Sequence, residues 1–398
     1  MKKISTPPFW FLALLLGLPL FSETVYSPAL PNIAHELNVS EGWVEHTLTI
    51  YLFGFALGIL LWGSISDRWG RKPSLLAGLG LYMVGCIVCW MSSSLELLMV
   101  GRLIQALGGG ACSVLGQSIC RDIYQGAERA KAYALIGFSI PIASALGPVV
   151  GGFIAECLHW KANFVLLTLT GSLAAILTYK ILSETHQRLS RHKPSILKIA
   201  SELIKDPQEV ALALLIGSVN GMIFSYYAEG PFCLINLLGM SPSTYGLTFL
   251  GIALFGIPGR YVAHKLSQKF SPFFMLKRGV QTLMAAGGLF ITLTLIFSYI
   301  AAPSWCHIGL TLSYIVSLVL AIGMILPNAL ALALTKHKDS VGTASSLFGA
   351  FYYSIISLVA MGMGTLHNNT LFPMPIYFCV IGLILGILFK FCIEKRKT

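Results

Sequence analysis

Two acids stand alone in long stretches that carry no other charge: Glu23, in Ser22-Glu-Thr-Val-Tyr-Ser-Pro28, and Glu229, in Tyr227-Ala-Glu-Gly-Pro-Phe232. A carboxylate in so apolar a run is costly to ionise, so it is suited to taking up and releasing a proton as its surroundings change. For each acid the competing reading is an interface residue or a structural hydrogen-bond partner. Arg102, in Gly101-Arg-Leu-Ile-Gln-Ala-Leu-Gly-Gly-Gly110, is a cation in a third such run. It must face a cavity or a partner, or else snorkel to headgroups. The densest charge lies in Gly63-Ser-Ile-Ser-Asp-Arg-Trp-Gly-Arg-Lys72, where Asp67, Arg68, Arg71 and Lys72 share a short turn between two apolar runs. Gly63 and Gly70 there allow close helix approach and a tight turn, while Asp67 can cap or pair across a helix end.

The elements that must position these residues follow from composition. The chain has 398 residues, 56% hydrophobic and 11% charged, against about 25% charged in an average soluble domain. So few charges cannot cover so much apolar surface in water, and lipid must be the solvent for most of it. A bilayer core needs about 20 apolar residues per helix. Runs of that kind lie near 8–30, 43–63, 73–92, 96–120, 132–157, 161–182, 208–237, 243–265, 274–298, 305–334, 341–366 and 373–393. The period-two alternation of a membrane barrel is absent. The expectation is an all-α polytopic membrane protein with twelve transmembrane helices.

Lys and Arg set the orientation. Lys2, Lys3, the 67–72 turn, Arg121, Arg129, Lys131, the run from Lys180 to Lys205, Lys265, Lys269, Lys277, Arg278, Lys336, Lys338, Lys390 and Lys395-Arg396-Lys397 fall on one side, and only Lys161 on the other. The positive-inside rule then makes both termini cytoplasmic. The net charge of +11 reads as topology and contact with anionic lipid, with no nucleic-acid partner. Met1-Lys-Lys followed by an apolar run has no small-residue cleavage site, so an uncleaved first helix is expected. Nine cysteines scattered through the apolar runs argue against a disulfide framework, and Cys86-Ile-Val-Cys89 reads as packing within a helix.

The longest polar connection, 183–207, separates two six-helix bundles at 1–182 and 208–398. The halves echo each other. Glu23 and Glu229 fall at matching positions before Pro28 and Pro231, and Arg129-Ala-Lys-Ala-Tyr-Ala-Leu-Ile-Gly137 matches Val341-Gly-Thr-Ala-Ser-Ser-Leu-Phe-Gly349. Such internal repeats are typical of transporters.

The 63–72 turn resembles, at every fixed position, the Gly-x-x-x-Asp-Arg-x-Gly-Arg-Lys loop of the major facilitator superfamily. In that family the cluster latches the two bundles when the cytoplasmic side is closed. Asp122, beside Arg121, is either a partner of this cluster or a plain helix-end pair. Gly101 to Gly110 resembles the Arg-x-x-Gln-Gly motif, with Ala106 in place of the first Gly, and implies a coupling role for Arg102. Leu146-Gly-Pro-Val-Val-Gly-Gly152 resembles the motif of the antiporter branches in Gly147, Pro148, Gly151 and Gly152, with Ala143 where a further Gly is usual. A purely structural kink is the alternative there.

Tyr26-Ser-Pro-Ala-Leu-Pro-Asn-Ile-Ala34, Leu182-Ser-Glu-Thr185, Gly230-Pro-Phe232, Gly239-Met-Ser-Pro-Ser-Thr-Tyr-Gly246 and Gly342-Thr-Ala-Ser-Ser346 resemble the bicyclomycin/chloramphenicol-resistance (Bcr/CflA) drug:proton antiporters. That group's acid falls at the position of Thr24. Here it is Glu23, turned by about 100° on a helix.

The resemblance implies proton-coupled efflux of small lipophilic or drug-like compounds across the bacterial inner membrane. The carrier would be a monomer working by alternating access about a midplane cavity, with the proton as coupling ion and no bound cofactor. Tyr26, Tyr51, Phe55, Gln117, Asn220, Tyr226, Tyr227 and Asn236 are the candidate cavity residues, their aromatics and amides suiting flat lipophilic ligands. An exporter of a metabolite or siderophore would share these motifs. A proton-driven importer would share the fold but lack Gly147-Pro148. A membrane enzyme would cluster His and Asp at one face, and the nine His here are scattered.

Overall fold

A computed structural model describes residues 7–185, 196–333 and 341–394. Among these residues twelve helices are long and apolar enough to cross a bilayer, and no strand occurs. Without water to bond the backbone, a spanning segment must satisfy its amides internally, which a helix does. Lys2, Lys3, Lys336, Lys338, Lys395, Arg396, Lys397 and the linker's Arg188, Arg191 and Lys193 lie outside the described residues.

The chain divides into two compact units, Met1–Lys193 with Pro242–Phe249, and Pro194–Ser241 with Leu250–Thr398. In the first unit the initial span is broken rather than continuous over 8–30. Helix α1, Phe9–Thr24, gives way to a short 3₁₀ turn at Ser27–Ala29 and then to α2, Leu30–Leu37. Pro28 and Pro31 are the reason: neither has an N–H to continue the ladder, and their rings clash with the preceding turn.

The long α3, Glu41–Trp69, α4, Arg71–Met91, and α5, Leu95–Ile123, follow. Their backbones approach closely where glycines meet: a Cβ on Gly110 of α5 would lie 2.7 Å from the carbonyl carbon of Gly58 in α3. With little hydrophobic drive between helices in lipid, such close packing is what holds them together. Helix α6, Gly126–Cys157, contains Pro141 and Pro148, and α7, Ala162–Ile181, completes the run.

The connection read as polar and basic contains a helix, α8, Ile196–Lys205. Ile199 and Leu203, four residues apart and so on one face, are buried, while Lys198 and Glu202 are exposed. The apolar pair was hidden by the surrounding basic residues.

The second unit contains α9, Pro207–Pro231, capped by the Asp206 side chain on the Gln208 amide at 2.9 Å, and a π-helical turn at Phe232–Leu237. Helix α10, Pro242–Lys269, begins in the first unit and continues in the second from Leu250, and α11, Pro272–Tyr299, α12, Ser304–Ala333, α13, Val341–Leu366, and α14, Pro373–Leu388, follow, the last running into a π-helical end at Phe389–Glu394. Leu254, Phe255 and Trp305 are each at least 69% exposed, as side chains that meet lipid should be.

Candidate functional site

Glu23 lies one residue before the end of α1 and is fully buried. Neither of its carboxylate oxygens has a hydrogen-bond partner among the described residues. The cation whose charge reaches it is Arg102 of α5, also fully buried, and Tyr51 lies in the field of both. Arg102 therefore does not snorkel. Its Nη1 donates to Gln105 Oε1 at 2.6 Å and to the Ser22 carbonyl at 3.3 Å, while Nε and Nη2 bond nothing described. The rings of Tyr26 and Tyr51 lie 4.2 and 4.1 Å from its guanidinium carbon. Tyr82 of α4 closes the group by bonding Ser22 at 2.6 Å.

The next residue on α1 faces elsewhere. Thr24 and Val25 lie against Gly147 and Gly151 of α6, where a Cβ on Gly147 would be 3.1 Å from the Val25 amide and one on Gly151 2.6 Å from the Val25 carbonyl carbon. Pro148 and Gly152 are buried beside them, and Gly152 faces Pro242 of the same unit. Thr24 thus serves helix packing, and the one-residue offset turns Glu23 toward the arginine.

The turn between α3 and α4 is an ion-pair network. Arg71, almost entirely buried, reaches Asp67 at 2.9 Å, Asp122 at the end of α5 at 3.1 Å and the Ser66 hydroxyl at 2.6 Å. Gly63 is half-buried, its carbonyl accepting from the Ser66 hydroxyl at 3.0 Å. Arg68 and Arg121 are exposed, and the Arg121 carbonyl accepts from Arg129 at 3.2 Å.

Sequence reasoning missed the keystone of this turn, Glu184. Its two oxygens accept the Arg71 and Lys72 amides at 2.9 and 3.1 Å, capping the N-terminus of α4. Lys72 Nζ donates to the Tyr179 carbonyl at 2.7 Å. Gly70 adopts φ +100°, ψ 165°, a region reserved for glycine, and a Cβ there would lie 2.6 Å from a Glu184 oxygen. Gly70→Ala is expected to cost about 1–3 kcal/mol from backbone strain alone, read as a lowered Tm in detergent. Gly70→Asn should cost at least as much, because Asn tolerates positive φ mainly in the left-handed helical region and not at ψ 165°.

In the second unit Glu229 is fully buried but paired. His367, in the loop after α13, places Nδ1 2.8 Å from Glu229 Oε2, and the Cys233 thiol donates to Oε1 at 3.4 Å. The other imidazole nitrogen lies 3.0 Å from Asn369 Oδ1, which fixes the ring by donation from Nε2. No local signal joined His367 to an acid so far away in the chain. Removing one partner of a buried pair costs about 3–5 kcal/mol. His367→Ala is therefore expected to lower Tm markedly, and Glu229→Gln in the same chain to recover most of the loss. Melting the two single variants and the double variant checks this.

The cavity candidates separate on burial. Tyr26, Tyr51 and Phe55 are at most 1% exposed and lie inside the first unit, the two tyrosines against Arg102. The tyrosine faces turned toward the guanidinium are occupied by that cation. Tyr226 is fully buried and Tyr227 nearly so, while Gln117 and Asn236 are exposed. Asn220 is half-buried and donates to the Ile216 carbonyl at 2.9 Å.

A bundle of spanning helices with a buried acid and arginine, and a charged turn clamped between α3 and α4, is the arrangement of a membrane transporter. The Major Facilitator Superfamily profile matches residues 12–361, and the chain belongs to that family. It is 31% identical to an uncharacterized transporter of Rickettsia felis, over 99% of this chain and 98% of the relative. It is 27% identical to the bicyclomycin resistance protein homolog of Haemophilus influenzae, over 91% of this chain and 90% of the relative. The crystal structure of a D-xylose-proton symporter has the same fold, with a TM-score of 0.75 at 18% identity over 98% of this chain and 99% of that one.

Proposed function

We propose that the protein exports small lipophilic or drug-like compounds across the bacterial inner membrane in exchange for protons, by alternating access, with both termini in the cytoplasm. The observation that carries the reading is the buried pairing of unlike states around Glu23. The acid has no hydrogen bond of its own among the described residues, while the neighbouring arginine bonds Gln105 and the Ser22 carbonyl and lies against two tyrosine rings. A carboxyl held in that way is not committed to a permanent ion pair, so it can alternate between protonated and ionised forms as the site opens to each side.

Arg102 supplies the charge that makes the ionised form tolerable, and a cationic or polar substrate takes over that duty when it displaces the proton. The names of relatives, such as the bicyclomycin resistance protein homolog, support drug-like compounds as the substrate class. The working partners are the small-molecule substrate and the lipid bilayer. The carrier acts as a monomer, needs no cofactor beyond the coupling proton and binds no nucleic acid. Purified protein in liposomes with an imposed proton gradient is expected to move ethidium against its concentration gradient and to stop when the gradient is collapsed. Ethidium and chloramphenicol movement that ignores the gradient would overturn the reading.

A further inference from the structure

We propose that Tyr26 and Tyr51 are positioning residues for Arg102, their ring faces holding the guanidinium beside Glu23 whether or not that carboxyl carries a proton. The proposal rests on the reading of Glu23 as the coupling acid.

A buried guanidinium must be held by something. The strongest holder is a carboxylate fork, which meets two N–H groups at once. Here no fork forms with Glu23: both carboxylate oxygens, and Arg102 Nε and Nη2, have no partner among the described residues. Among the described residues the hydrogen bonds of Arg102 run through Nη1, to Gln105 and the Ser22 carbonyl. Two aromatic rings lie against the cation, at 4.2 and 4.1 Å. Cation–π attraction is strongest where water is excluded, and all three side chains are fully buried.

The rings are themselves anchored from separate elements. The Thr47 hydroxyl donates to the Val44 carbonyl at 2.6 Å, so the Tyr26 hydroxyl, 2.5 Å from Thr47 Oγ1, must be the donor there. The Tyr51 hydroxyl donates to the Pro19 carbonyl at 3.1 Å.

This arrangement has a consequence that a fork lacks. A fork would bind the arginine only while Glu23 is ionised, and protonation would release the cation. The ring faces are uncharged and do not change when Glu23 gains its proton, so the cation stays put through both halves of a cycle. Among the described residues, the other titratable groups facing the cluster are Tyr82, Cys86 and Cys89 of α4. All three are neutral in their protonated forms, which leaves Arg102 as the fixed charge.

The test is an infrared pH titration of the full chain in lipid nanodiscs, reading the protonated-carboxyl band that Glu23→Gln removes. Tyr26→Phe and Tyr51→Phe keep the ring face and are expected to leave the Glu23 midpoint within about 0.3 pH unit of the parent. Replacing Tyr51 by phenylalanines of increasing ring fluorination keeps the shape while weakening the face. The midpoint is then expected to move steadily, by about one pH unit for the fully fluorinated ring.

A midpoint indifferent to fluorination overturns the proposal, and so does a phenylalanine variant that shifts as far as the fluorinated ones. A Glu23 band absent at every pH overturns both this proposal and the coupling role of Glu23. A fluorine-dependent midpoint alongside fully coupled transport by Glu23→Gln keeps the positioning role and removes only the coupling role.

Discussion

Glu23→Gln is expected to abolish gradient-driven efflux while leaving the protein folded. Gln has nearly the shape of a protonated Glu, and the site already holds the carboxyl without described hydrogen-bond partners, so the substitution removes titration and little else. Loss of one positioned proton-transfer group typically costs 10²–10⁴-fold, and uphill ethidium export from proteoliposomes is expected to fall at least ~100-fold. Downhill exchange of labelled ethidium across the same membrane should persist, because it needs the pathway but not the proton. Glu23→Asp keeps the carboxyl but shortens its reach toward Arg102, and should retain part of the uphill rate. Normal uphill export by the Gln variant would move the coupling proton to Glu229 or elsewhere. A fall in downhill exchange equal to that in uphill export would make Glu23 a structural residue instead.

The second large effect is expected at Gly151. Its missing side chain is the space into which α1 packs: a Cβ there would lie 2.6 Å from the carbonyl carbon of Val25, which is backbone and cannot swing away. Forcing extra atoms into such a contact costs about 1–3 kcal/mol per step. Gly151→Ala is expected to lower Tm in detergent and the transport rate together, and Gly151→Leu to yield little folded carrier. Gly137 makes a control on the same helix, since a Cβ there meets nothing within 4 Å. Gly137→Ala should be nearly neutral in the same melting assay. Equal tolerance at Gly151 and Gly137 would show that α1 and α6 separate freely at this point.

Gly151 also separates what local pattern reveals from what it hides. Gly147-Pro148 and Gly151-Gly152 stand out in the sequence because adjacent small residues and a proline are unusual in a helix. Their partner was not visible, because the contact is made by Thr24 and Val25 from a distant part of the chain. The break after α1 was legible in principle, since Pro28 and Pro31 cannot continue the ladder, but the apolar run carries on across it and masks the kink. Helix α8 escaped for the opposite reason: its short apolar face is embedded in basic residues.

The charges divide in the same way. Composition and run length alone determined a multi-pass helical protein, because hydrocarbon admits few charges and forces backbone bonds inside each segment. The spacing of Gly63, Asp67, Gly70 and Arg71 determined a charged turn between two helices. Only the tertiary structure decided the partners: Asp122 and Glu184 for that turn, His367 for Glu229, and two tyrosine rings rather than a carboxylate for Arg102. The physical reason is one of range. Solvent preference and helical periodicity act within about 20 consecutive residues and leave their mark on the local string. Which side chain satisfies a buried charge depends on how helices from remote parts of the chain rotate against each other, and a turn of about 100° between neighbouring residues such as Glu23 and Thr24 is enough to change the answer.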